Sequence, residues 1–253
     1  MLLELKNSCI YGPVRSRRLG LSLGFNILPG GLKTCPFDCV YCQYGWTDFS
    51  WAEKISFLAW PAPQTVEKEL RASILALPLS PDYITFSGNG EATVHPLFSE
   101  MVEMAGRVRN EMTPDAKTAI LSNSATVDKP HVRDALSRLD VRIMKLDCGN
   151  EETFRWFNKP FRNLKLENIT NGLENLQKVT IQSLFAGGRS GNINRDNLDS
   201  WLERILRIRP LNVQIYSLDR GTPDPRLKKA SKEILEEIKA DLESENISAT
   251  VYG

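Results

Sequence analysis

Three cysteines stand in one short loop, Thr34-Cys35-Pro36-Phe37-Asp38-Cys39-Val40-Tyr41-Cys42, at CxxxCxxC spacing. The other two, Cys9 and Cys148, lie far away in the chain, so the crowding of three thiols calls for a chemical cause. Thiolates are the usual protein ligands of iron–sulfur clusters, and a tight loop lets several of them reach one cube. Three ligands leave one iron of a four-iron cube without a protein ligand, and an open metal position is where a small molecule can bind and react. A structural zinc knuckle is the alternative. It takes four ligands in paired groupings, and here the only histidines, His95 and His131, are remote. A chance group of buried thiols fits less well, because Pro36 and Asp38 mark a polar turn rather than a core strand.

Such a loop needs a rigid carrier. Residues 19–28, LGLSLGFNIL, read as a strand that Pro29-Gly30-Gly31 breaks just ahead of the cysteines. Upstream, Arg15, Arg17 and Arg18 read as a solvated basic lead-in, with phosphate or RNA contact as the alternative. Downstream a helix is expected from a Thr65 cap through Leu77, then a strand at Tyr83–Phe86 opening into Ser87-Gly88-Asn89-Gly90-Glu91. The same grammar recurs. Strands at 118–121, 141–146, 179–184 and 213–218 alternate with helices near 97–108, 132–139, 151–157, 166–176, 198–208 and 231–244, and 247–252 is a possible terminal strand. Strands separated by helices imply parallel pairing, hence a (β/α) barrel or an open doubly wound sheet whose chemistry sits beyond the strands' C-terminal ends.

At 253 residues the chain suits one α/β domain over 1–253. Its formal net charge of +1 supplies no global field toward nucleic acid or acidic membranes, so any such contact is local. Residues 1–8 lack the basic head and apolar run of a signal peptide, and no stretch reaches the length of a membrane span. An odd cysteine count argues against a disulfide framework and suits the reducing cytoplasm.

With Tyr41 just before the third cysteine, Cys35-x3-Cys39-x2-Cys42 resembles the signature of the radical S-adenosylmethionine enzymes. The stretch YGPVRSRRLGLSLGFNILPGGLKTCPFDCVYCQYGWT resembles the branch containing wyosine-synthesising tRNA enzymes and related iron–sulfur oxidoreductases. The likeness continues through FSGNGEATVHP, ILSNSAT, KLDCGNEETFRWFNKP and VQIYSLDRGTPDP. It implies a partial (β/α)6 barrel, TIM-like with parallel strands, and a 4Fe–4S cluster whose unique iron chelates S-adenosylmethionine. Reductive cleavage of that sulfonium would give a 5′-deoxyadenosyl radical that abstracts hydrogen from substrate, the protein supplying position and shielding.

The resemblance also assigns roles. Gly88, Asn89, Gly90 and Glu91 match the family's GGEP segment, where backbone and acid hold the methionyl amine, although Asn89 replaces a glycine and Ala92 a proline. Tyr41, Asn123, Ser124, Lys145 and Asp147 fall where the family contacts the cofactor, and Gln182 is a polar residue expected to face the lumen. Asn123 could equally cap the following turn, and Glu91 could serve as a helix-start acid. Cys148, at a strand end, could donate a hydrogen atom to a product radical, against the plainer reading of an inert buried thiol. A flavodoxin- or ferredoxin-like electron donor is the implied partner. A barrel without an auxiliary domain leaves its lateral mouth uncovered, which suits a large substrate such as tRNA, with Arg15, Arg17, Arg18, Lys33, Lys228 and Lys229 as phosphate contacts. A small metabolite or peptide is the alternative substrate, and a non-catalytic iron–sulfur sensor or scaffold the alternative class.

Overall fold

The computed structural model describes residues 2–253; Met1, where the stretch read for a leader begins, lies outside them. An eight-stranded sheet in the order β1-β2-β3-β4-β5-β6-β8-β10 organises the molecule. Its strands are β1 (Ile10–Ser16), β2 (Gly20–Phe25), β3 (Tyr83–Phe86), β4 (Lys117–Ser122), β5 (Val141–Lys145), β6 (Val179–Leu184), β8 (Asn212–Tyr216) and β10 (Ala249–Tyr252). All pairings from β2 to β10 are parallel, and only β1 runs antiparallel. The six strands expected for a partial (β/α)6 barrel are β2 to β6 and β8, and β10 extends them by one.

Helices α2 (Pro63–Leu75), α3 (Phe98–Met112), α4 (Pro130–Ser137), α5 (Glu151–Phe157), α6 (Leu166–Glu174), α7 (Arg195–Ile208) and α8 (Lys232–Ser244) supply the crossovers, while α1 (Ser50–Glu53) is a single turn after the cysteine loop. Their apolar stripes, such as Val66, Leu70 and Ile74 on α2, close over strand residues Phe25, Ile84, Phe86, Ile120, Ile181 and Val213. Burying each side chain of this size stabilises the fold by about 1.5–3 kcal/mol. α2 begins three residues earlier than the Thr65 cap predicts, because Pro63 at its first turn has its φ preset and no N–H to satisfy.

Three features depart from expectation. The stretch around Arg15 is solvated as expected but forms edge strand β1, whose mostly exposed side chains hide its period. A separate two-stranded antiparallel sheet, β7 (Ala186–Gly188) with β9 (Leu227–Lys229), forms beyond β6. The lateral gap is also crossed: Arg17 of the β1–β2 turn bonds Asp219 at 2.9 Å, and the Arg18 guanidinium lies 4.7 Å and 4.6 Å from the rings of Tyr216 and Tyr252. The first hairpin therefore reaches the last two parallel strands, so the sheet is curled. Among the described residues no helix is long and apolar enough to cross a membrane.

Candidate active site

The cysteine loop is pinned from both sides by backbone bonds. Thr34 exchanges hydrogen bonds with the segment after β3, its N–H to Asn89 O at 2.9 Å and its carbonyl from Glu91 N–H at 3.0 Å. Gly90 permits this approach, since its φ is +142° and a Cβ there would lie 2.1 Å from Thr34 O and 3.2 Å from Cys35 Cβ. On the other flank Asp38 N–H and Val40 N–H bond Asn158 O and Phe157 O, both at 3.0 Å. Two segments distant in sequence thus hold the three cysteines.

Side-chain amides reach two of the sulfurs: Asn123 Nδ2 lies 3.3 Å from Cys35 Sγ and Asn158 Nδ2 3.3 Å from Cys39 Sγ. Burial pushes the Cys35 thiol well above its ordinary range, and burial with the neighbouring Cys42 raises Cys39 to about 12. Burial pulls Lys33 down, but Cys42 and Cys35 beside it more than offset this and raise its pKa. Amide donors and a buried cation fit an anionic set of thiolates, which a metal deprotonates on binding. Among the described residues no three His, Cys, Asp or Glu side chains converge on a single ion. A four-iron cube needs no such convergence, because each thiolate takes a different iron.

All three cysteines line one cavity of about 190 Å³, together with Tyr41, Gly88, Gly90, Asn123, Lys145 and Gln182. The Gln182 side chain faces the lumen and donates to Gln214 Oε1 across β6 and β8 at 3.0 Å. Lys145 donates to Tyr216 Oη at 2.6 Å and pairs with Asp147 at 3.1 Å. Burial lowers its pKa, but Asp147 and Tyr216 outweigh that and hold it above the usual ammonium range. Asn123 does both things expected of it, lining the cavity and accepting from Ala125 N–H at 2.9 Å.

The remaining predicted contacts are engaged in hydrogen bonds within the chain. Glu91 is fully buried, and its carboxylate accepts from Thr93 N–H at 3.1 Å, Thr93 Oγ1 at 2.6 Å, Ser122 Oγ at 2.9 Å and Asn123 N–H at 2.5 Å. Burial raises its pKa against those bonds. Its side chain clamps the end of β3 to the end of β4. Asn89 ties Lys6 and Pro29 together, and buried Ser124 donates to Lys145 O at 2.9 Å. Asp147 accepts from Tyr41 Oη, from Asn158 Nδ2 at 3.0 Å and from Leu184 N–H at 2.8 Å. Cys148 is buried against a void of about 10 Å³ outside the cysteine cavity, its Sγ 3.2 Å from Asn158 Oδ1. Burial pushes that thiol far up. Cys148 does not line the cysteine cavity.

Lys33, read as a phosphate contact, is buried and donates to Gly45 O at 2.5 Å. His95 is buried rather than at the surface, with Nε2 3.2 Å from Pro61 O and Nδ1 accepting from Leu97 N–H at 3.0 Å. Asn158 is the residue that sequence reasoning missed. It bonds Cys39, Tyr41 and Asp147 at once, yet it sits at a helix end with no period or spacing to mark it.

No family model matches the chain. It is 28% identical over 249 residues to a Brachyspira hyodysenteriae protein named GTPase Obg, covering 95% of this chain and 34% of that protein. It is 35% identical over 164 residues to a UPF0026 protein of Methanocaldococcus jannaschii, covering 64% of this chain and 48% of that one. A UPF0026 protein of Synechocystis sp. is 30% identical over 220 residues, 85% of this chain and 77% of the relative. The chain thus spans less than half the length of the first two. Among solved structures it is similar to a radical SAM methyltransferase from Sphaerobacter thermophilus (TM-score 0.65, 14% identity, 91% of this chain and 65% of that one). TYW1 with a lysine-pyruvate adduct bound superposes at TM-score 0.63, with 13% identity over 88% of this chain and 73% of that one.

Proposed function

The chain belongs to the UPF0026 family and has the radical S-adenosylmethionine fold, and from its site we propose that it is an enzyme of that chemistry. The observation that carries the reading is one cavity lined by Cys35, Cys39 and Cys42, with amides from Asn123 and Asn158 on two of the sulfurs. When bound, a 4Fe–4S cluster and S-adenosylmethionine supply one-electron cleavage of the sulfonium and a 5′-deoxyadenosyl radical for hydrogen abstraction.

The chain's own part is positioning and shielding. Cys35, Cys39 and Cys42 would hold the cluster, and the amide donors and Lys33 would stabilise its negative charge. Gly88 and Gly90 bring backbone up to the cofactor, and Asn123 and Gln182 offer donors and acceptors from the strand ends. Glu91 and Asp147 act one step back, fixing the segments that carry these groups. A flavodoxin- or ferredoxin-like protein is the proposed reductant. The resemblance to wyosine-synthesising enzymes supports RNA as a substrate class, while the absence of any basic excess over the whole chain supports a smaller one.

After anaerobic reconstitution, Cys39→Ala is expected to lose the cluster's visible absorbance. A spectrum identical to the wild type would refute the ligand assignment.

A further inference from the structure

A second cavity, of about 400 Å³, adjoins the first, and Tyr41 and Leu121 line both. Four arginines line it, Arg15, Arg17, Arg18 and Arg220, against one carboxylate, Asp219, which is already paired with Arg17. On the outer helices, by contrast, Glu67 pairs Arg71 and Arg107, and Glu167 pairs Arg204 and Arg207. The cavity thus gathers four guanidinium groups against one carboxylate in a chain whose net charge is only +1.

Arg18 is the sharpest part of that excess. Its guanidinium is wedged against the rings of Tyr216 and Tyr252, and its Nε and Nη2 are buried without a hydrogen-bond partner. Ring faces attract a cation but do not accept its N–H groups in the plane where they point. Desolvating a guanidinium without an acceptor is costly, and a planar oxyanion is the group that its fork fits.

We infer that this arginine cavity is the substrate's anion site, taking a compact phosphate or carboxylate group of a small molecule whose reacting end lies across Tyr41 and Leu121 in the cysteine cavity. The inference rests on the proposed chemistry only for the word substrate; the anion site stands on its own geometry. A nucleic-acid backbone fits less well. Tight RNA binding neutralises a row of phosphates along an extended basic track, whereas these arginines converge on one recess and the outer arginines named above are spent on carboxylates.

Calorimetric titration of the metal-free full chain with inorganic phosphate, pyrophosphate and malonate tests this without any turnover. Saturable one-site binding of at least one anion is expected, the preferred probe telling phosphate from carboxylate. Arg15→Gln and Arg220→Gln, both at exposed positions that fold without them, should each weaken it about tenfold, the size of one charge-assisted hydrogen bond. Arg195→Gln on α7, outside this cavity, should leave it unchanged. Failure of all three anions to bind, or binding that survives both cavity substitutions, overturns the inference. So does tight, salt-sensitive binding of a single-stranded oligoribonucleotide where the small anions do not bind. In cluster-loaded protein, S-adenosylmethionine and the anion should bind together; displacement of one by the other would assign the cavity to the cofactor and overturn it. Absence of S-adenosylmethionine cleavage would tell against the proposed chemistry alone, leaving the metal-free titration as measured.

Discussion

On the cysteine side of the barrel, Glu91 and Asp147 are buried charges whose oxygens meet donors from their own chain, four at Glu91. On the arginine side, Arg18 presents two buried nitrogens that meet none. The Glu91 and Asp147 side chains and the two Arg18 nitrogens are all buried, so burial alone does not distinguish them. What differs is satisfaction. Glu91 and Asp147 meet donors of their own fold, whereas Arg18 holds two nitrogens whose desolvation nothing in the chain offsets.

The contrast breaks most sharply at Glu91. Glu91→Ala strands donors from Thr93, Ser122 and Asn123, and should lower the unfolding free energy of the metal-free protein in urea by about 3 kcal/mol or more. A loss below about 1 kcal/mol would return Glu91 to the ligand-facing set.

A second, smaller effect comes from His95 on the same side. Burial lowers its pKa from 6.5 to about 4, and both ring nitrogens have neutral-form partners. The unfolded chain then binds the proton that the folded one refuses. Stability from this group is present above pH 6.5 and drains as pH falls toward about 4. The expected loss is roughly 2 kcal/mol, read as the difference between wild type and His95→Asn in urea titrations across that window. Parallel pH curves for the two proteins would show that His95 is not held neutral.

Cys148 should matter least. Cys148→Ala is expected to keep 5′-deoxyadenosine formation within about twofold of wild type in the reconstituted protein. A large drop with the cluster fully retained would reinstate it as a hydrogen donor.

How much could be read in advance follows the same division. Strands such as Tyr83–Phe86 and Val179–Leu184 announce themselves because β-branched and aromatic runs are bounded by turn residues. β1 does not, because an edge strand with exposed Gly12, Pro13, Val14 and Arg15 has no buried face to impose a period of two. The cysteine spacing and the glycines at 88 and 90 were legible because local geometry demands those residue types. For Glu91, Asp147 and Ser124 the sequence shows an acid or hydroxyl near a strand end but not the bonds its oxygens make within the chain. Asn158 and the Arg18 sandwich depend on contacts between segments more than 100 residues apart, which no local pattern encodes.

The most direct test of the central claim is to add S-adenosylmethionine to the anaerobically reconstituted, dithionite-reduced protein. The cluster's electron paramagnetic resonance spectrum is followed while 5′-deoxyadenosine is assayed by chromatography. A changed spectrum together with 5′-deoxyadenosine is the predicted result. An unchanged spectrum and no cleavage product from protein that demonstrably carries its cluster would contradict the account.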